Sequence, residues 1–131
     1  MDSEKTILYA SCLMLDIARA DGKVTDSELD TLKEILMDFF NITNEHASEI
    51  ISNSHIELNK SIDIFKYANF LNNEMDYNDK IDLVRCIFEV GYSDGNLHYL
   101  ELHYIKTMSN LLNIEKNDVV RAKLEIKRKL N

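Results

Sequence analysis

An all-α fold is predicted by three observations on this chain. It has no proline among 131 residues, it has only three glycines, and its apolar residues recur at helical spacing. Two of the three glycines also lie in a repeat: Asp21-Gly22-Lys23-Val24 followed by Glu28 recurs 73 residues later as Asp94-Gly95-Asn96-Leu97 followed by Glu101. Glycine is costly inside helices, so each Asp-Gly marks a place where the backbone turns between two helices. The prediction is therefore a single-domain bundle of about seven helices with an internal pseudo-two-fold duplication of helical hairpins.

The elements follow in order. Leu8, Ser11, Met14, Leu15 and Ala18 form one stripe of a first helix, and Leu29, Leu32, Leu36, Phe39 and Phe40 continue the pattern beyond the first Asp-Gly. Thr43 or Asn44 opens a short third helix closed by Ile50 and Ile51, and Ile64, Phe65, Ala68, Phe70 and Leu71 mark a fourth. Asn72, Asn73 and Asn78 flank the start of the second half, where turn chemistry is expected. There the first stripe returns as Ile81, Val84, Ile87, Phe88 and Gly91, while Leu102, Ile105 and Met108 match Leu29, Leu32 and Ile35. Phe40-Asn41-Ile42 and Leu112-Asn113-Ile114 close the two hairpins, with the offset slipping to 72. A last helix runs over roughly 116–130, so one domain, 1–131, contains repeat halves at about 5–53 and 78–130.

Charge narrows the function classes. The chain carries 15 basic and 23 acidic side chains, a formal charge of -8. Residues 121–131 hold five basic groups against Glu125, so the first 120 residues carry 10 basic against 22 acidic, or -12. Such a body disfavours nucleic acid, which needs clustered Lys and Arg to neutralise phosphate, and it suits cations or basic protein partners. The basic cluster near the end of the last helix suits the helix dipole. No apolar run approaches the roughly 20 residues of a membrane span, and Met1-Asp2-Ser3-Glu4 lacks a basic n-region, so a cytoplasmic protein without membrane insertion is expected. Cys12 and Cys86 fall in apolar helical stretches and read as buried, reduced thiols. No phosphate cradle, His-Glu-x-x-His helix or paired nucleophile and base is present, so no catalytic activity is expected.

The candidate site is the pair of turns. Asp21, Glu28, Asp94 and Glu101 are candidate ligands for a divalent metal ion, since four carboxylates from two turns at one end of a bundle can hold one or two hard cations. The spacing matches only the second half of a calcium-binding EF-hand loop. Its first ligand positions would be Ile17 and Arg19, or Val90 and Tyr92, none of which offers a carboxylate. Thr25-Asp26-Ser27-Glu28 reads as a capping box, which gives Glu28 a structural reason. His98 stands where a capping residue would precede Glu101 and is a poor N-cap, so Glu101 is expected to serve something else. Asp16 and Glu89 are a third matched acidic pair, for which a solvated helix face is the simpler reading. Tyr92, Tyr99 and Tyr104 are candidates for a protein interface, with oligomeric state left open.

Ala18-Arg19-Ala20-Asp21-Gly22-Lys23-Val24 with Glu28, and Gly91-Tyr92-Ser93-Asp94-Gly95-Asn96-Leu97 with Glu101, closely resemble the paired signatures of the tellurite-resistance TerB family. The likeness extends to Leu111-Leu112-Asn113-Ile114 and covers nearly the whole chain, with residues 46–78 matching as helical spacer. The resemblance implies an all-helical fold with internal pseudo-symmetry, a cytosolic bacterial setting and an acidic divalent-metal site. It also implies a part in stress response or interaction modules, since similar domains head a membrane-anchored DnaJ-type co-chaperone. The second turn, with His98-Tyr99-Leu100, is less acidic than the family pattern and more like a protein contact. Two functions are therefore in competition: a cation-binding module that conveys metal or stress state to a partner, and a metal-independent interaction or co-chaperone-type module with structural turns.

Overall fold

The computed structural model describes residues 3–20, 22–60 and 63–129. Seven helices and no strand form among them: α1 (Glu4–Ala18), α2 (Asp26–Phe40), α3 (Asn44–Lys60), α4 (Ile64–Glu74), α5 (Tyr77–Gly91), α6 (Tyr99–Leu111) and α7 (Lys116–Lys129).

Helix α1 is the centre of the bundle, with α2, α3, α4, α5 and α6 packed around it. Its stripe is wider than one face. Ser11, Met14, Leu15 and Ala18 are buried as the periodicity predicts, and so are Ile7, Ala10, Cys12, Leu13 and Ile17 on the other sides. A helix with apolar residues on most of its faces is one surrounded by others. The second half is arranged about α5, which packs on α1, α2, α6 and α7.

The hairpins close as the repeated Asn-Ile signals imply. Asn41 and Asn113 adopt φ of 54° and 59°, and the amides of Ile42 and Ile114 reach back to the carbonyls of Met37 at 3.2 Å and Ser109 at 3.0 Å. These six-to-one bonds satisfy carbonyls that the last helical turn would leave open, and asparagine tolerates the left-handed conformation they require.

Two local expectations are corrected. Helix α3 begins at Asn44 with Thr43 Oγ1 accepting the His46 amide at 3.1 Å, but it runs on to Lys60 and does not close at Ile50 and Ile51. Its buried stripe is Ala47, Ile50, Ser54 and Leu58, and the serine hides the periodicity. Ser54 is fully buried because its hydroxyl donates to Ser11 Oγ at 2.7 Å and lies 2.8 Å from the Ile50 carbonyl. Asn72 and Asn73 lie inside α4, and Asn78 lies inside α5. The turn between those helices belongs to Asp76, whose Oδ1 accepts the Asp79 amide at 2.8 Å. Asn72 instead ties three helices together, donating to the Leu111 carbonyl at 2.6 Å and accepting from Lys80 Nζ at 3.1 Å.

Candidate functional site

The two Asp-Gly turns share one backbone design. In the first, the amides of Arg19, Ala20 and Gly22 donate to the carbonyls of Leu15 at 3.1 Å, Ile17 at 3.0 Å and Arg19 at 3.0 Å. In the second, the amides of Tyr92, Ser93 and Gly95 donate to Phe88 at 2.9 Å, Val90 at 3.2 Å and Tyr92 at 2.8 Å. Gly22 and Gly95 then take φ of 87° and 102°, a conformation that disfavours any residue with a Cβ.

The apolar residue after each Asp-Gly folds back onto the bundle. A Cβ added at Gly91 would stand 2.6 Å from Leu97 Cδ1, with Ile17 and Ile105 beyond it at 3.7 and 3.9 Å. Leu97 thus lies over the bare backbone of Gly91, which explains both the apolar position and the small residue three before the aspartate. The first turn has Ala18, buried, and Val24, packed on the core. Alanine with valine and glycine with leucine each bring four side-chain carbons, so the two pairs carry the same number of carbons by different division.

The glutamates are buried at both turns, each 2 % exposed. Glu28 Oε1 accepts the Thr25 amide at 2.8 Å and the Thr25 hydroxyl at 3.1 Å, while the Glu28 amide donates to Thr25 Oγ1 at 3.1 Å. Glu101 Oε1 accepts the His98 amide at 2.9 Å, and His98 Nδ1 accepts the Leu100 amide at 3.3 Å, completing a second capping box. This corrects the expectation that Glu101 has lost its capping partner. Imidazole Nδ1 is attached to Cγ, as is the oxygen of an asparagine cap, so an unprotonated Nδ1 can take the same amide. Both glutamates therefore have a structural task.

Asp94 is exposed, with Oδ1 3.4 Å from the Asn96 amide. Asp21 lies outside the described residues. Among the described residues no group of three or more His, Cys, Asp and Glu side chains could hold a metal ion, so Glu28, Asp94 and Glu101 do not assemble into one. His98 is exposed and stacks on Tyr99 with centroids 5.0 Å apart. Of the three tyrosines read as interface candidates, only Tyr99 is free to act so, at 73 % exposure. Tyr92 is buried and Tyr104 sends its hydroxyl toward the Leu13 carbonyl at 3.4 Å.

Asp16 is not on a solvated face. It is half-buried, and burial raises its carboxyl above the usual range despite the neighbouring Tyr104 hydroxyl and the charge of Arg19. Sequence spacing paired Asp16 with Glu89 and had no means of pairing it with Tyr104 on α6. The cysteines are unpaired, with Cys12 buried and Cys86 half-buried. Burial pushes their thiols to about 11 and about 12, so neither is a thiolate near neutrality. No helix of the described residues is long and apolar enough to cross a membrane.

With this geometry in view, the comparisons fit the reading of the signatures. The family model described as Tellurite resistance protein TerB matches residues 8–124, and the chain belongs to the TerB family. Comparison with curated proteins and with solved structures gave no match.

Proposed function

We propose that this TerB-family chain is a non-catalytic interaction module of a cytoplasmic stress response. In this reading, turns related by an internal pseudo-two-fold duplication fix the directions of α2 and α6, and helix surfaces recognise a protein partner. The observation that carries it is the pair of capping boxes: Glu28 and Glu101 are both buried and both hold the first turn of the following helix. Residues so engaged act as brackets, and recognition falls to what the brackets present. Tyr99 and Leu100, exposed in the first turn of α6, are part of that surface.

A second reading keeps the divalent cation at Asp21, Glu28, Asp94 and Glu101. It is favoured by the burial of one carboxylate at each turn, where a cation would offset the cost of taking a charge out of water. Thermal melts in chelator and in millimolar Ca²⁺, Mg²⁺, Mn²⁺ or Zn²⁺ separate the two. Structural brackets predict the same midpoint in all conditions. A bound ion at one hundred times its dissociation constant stabilises by about 2.7 kcal/mol, a shift of several degrees. Such a shift, abolished by Asp21→Ala or Asp94→Ala, would replace the bracket reading with the cation reading.

A further inference from the structure

We infer that the space between α6 and α7 is a docking groove for an acidic amphipathic helix of a partner protein, which deepens the interaction-module reading above. The two halves differ here. Helix α3 packs on both α1 and α2, whereas α7 is seated on α5 and, among the described residues, is not closely packed on α6. Two hollows remain between them. One, of about 410 Å3, lies where the second Asp-Gly segment, with Gly95, Asn96 and Leu97, and Leu102 at the start of α6 face Lys123 and Lys127 of α7. The other, of about 440 Å3, lies between Lys106 and Ser109 of α6 and Lys116, Val119 and Val120 of α7. Val120 and Lys123 are about one turn apart on α7, and Leu102 and Lys106 one turn apart on α6, so the hollows follow one another along about three turns of α7.

The reason for the opening is visible in the repeat. Ser109 stands 73 residues after Leu36, and Asn110 stands 73 after Met37. Leu36 is fully buried, and a serine in its place leaves the room that the leucine fills in the first half. Ser109 Oγ is buried without a hydrogen-bond partner among the described residues, at the base of the second hollow. Val120 and Leu124, 54 % and 46 % exposed, extend the apolar strip along α7.

Charge selects the occupant. Four lysines and no carboxylate line the two hollows, in a chain whose formal charge is -8. Acidic groups of the same elements are turned elsewhere: Glu125 accepts from Arg85 Nε at 2.7 Å, Glu101 takes the His98 amide, and Asp118 takes the Tyr77 hydroxyl at 2.6 Å. An apolar floor between cationic rims fits a helix with apolar residues at i, i+3, i+4 and i+7 and carboxylates on its flanks. The strongly acidic remainder of the surface repels nucleic acid.

The test uses the full chain and a labelled 16-residue peptide with Leu at those positions and Glu on both flanks, read by fluorescence anisotropy and amide shift mapping. Binding is expected with shifts centred on Leu102, Ser109, Val120 and Lys123, weakened at least tenfold in Lys106→Glu/Lys116→Glu, whose side chains are exposed. Ser109→Leu is expected to raise the melting temperature by filling the hollow and to weaken binding at least tenfold. Equal binding of a Gln-flanked peptide, unchanged binding by Ser109→Leu, or shifts elsewhere would overturn the groove. So would self-association abolished by the same charge reversals, or preferential binding of anionic vesicles. A cation-dependent melt with intact peptide binding would remove the bracket reading and leave the groove; a cation-independent melt with no binding would do the reverse.

Discussion

At the first Asp-Gly turn a threonine hydroxyl caps α2, and at the second an imidazole nitrogen caps α6, yet the Gly22 and Gly95 amides bond back to carbonyls at the same relative positions. Backbone design is held in common and side-chain chemistry is not. The apolar plug shows the same division, with Ala18 and Val24 at one turn and Gly91 and Leu97 at the other. What the turn requires is a left-handed glycine, an inward glutamate and a plug of fixed volume. Within those requirements the capping atom and the split of volume are free to vary.

The largest test strikes the common part. No atom would meet a Cβ at Gly22 or Gly95, so substitution there is opposed by backbone strain alone. Gly22→Val and Gly95→Val should each cost about 2 kcal/mol in urea unfolding, equal within about 0.5 kcal/mol. Unequal losses would break the equivalence of the two backbones. The capping boxes come next. Glu28→Ala and Glu101→Ala should each cost about 1.5 kcal/mol, since each carboxylate is buried and takes the N-cap amide of the helix that follows.

The plug is tested by a double-mutant cycle. Gly91→Ala crowds Leu97, and Leu97→Val relieves it by recreating the first turn's pair. The coupling should favour the double variant by about 1 kcal/mol. The smallest effect concerns the cap itself: His98→Thr should stabilise by about 0.5 kcal/mol, measured as a raised urea midpoint with unchanged slope.

Asp16 gives a test in pH. Its folded carboxyl is raised above the ordinary 3.8, so the native state holds the proton more tightly than the unfolded chain. The associated stability is present below the unfolded value and lost as pH rises through the folded one. Asp16→Asn should therefore unfold at higher urea than the parent at pH 7, and the gap should close toward pH 3.

Much of this was legible in the sequence because it is written in local signals. The left-handed asparagines, the Thr25 to Glu28 box and the stripe of α5 each depend on residues within a turn or two of one another. Features that required packing were not. Ser54 looks like a break in α3 until Ser11 is placed opposite it, and Asp16 looks solvated until Tyr104 arrives from a helix 88 residues away in the chain. His98 was misread for a different reason: capping preference ranks side chains by frequency, whereas the geometry asks only for an acceptor at the right distance from the backbone. The α6–α7 opening was present in the repeat as Leu36 against Ser109, but its meaning needed the burial of Leu36.

The position of α1 bears on how such a chain is assembled. A helix buried on most of its faces by elements from both halves is shared core, so a fragment ending near residue 60 would expose the face that α5 covers, and a fragment starting near residue 63 would lack the helix on which α4 and α5 rest. Either fragment alone would leave apolar surface bare that the whole chain covers. Separately made segments would have to find each other and order together around a single central rod.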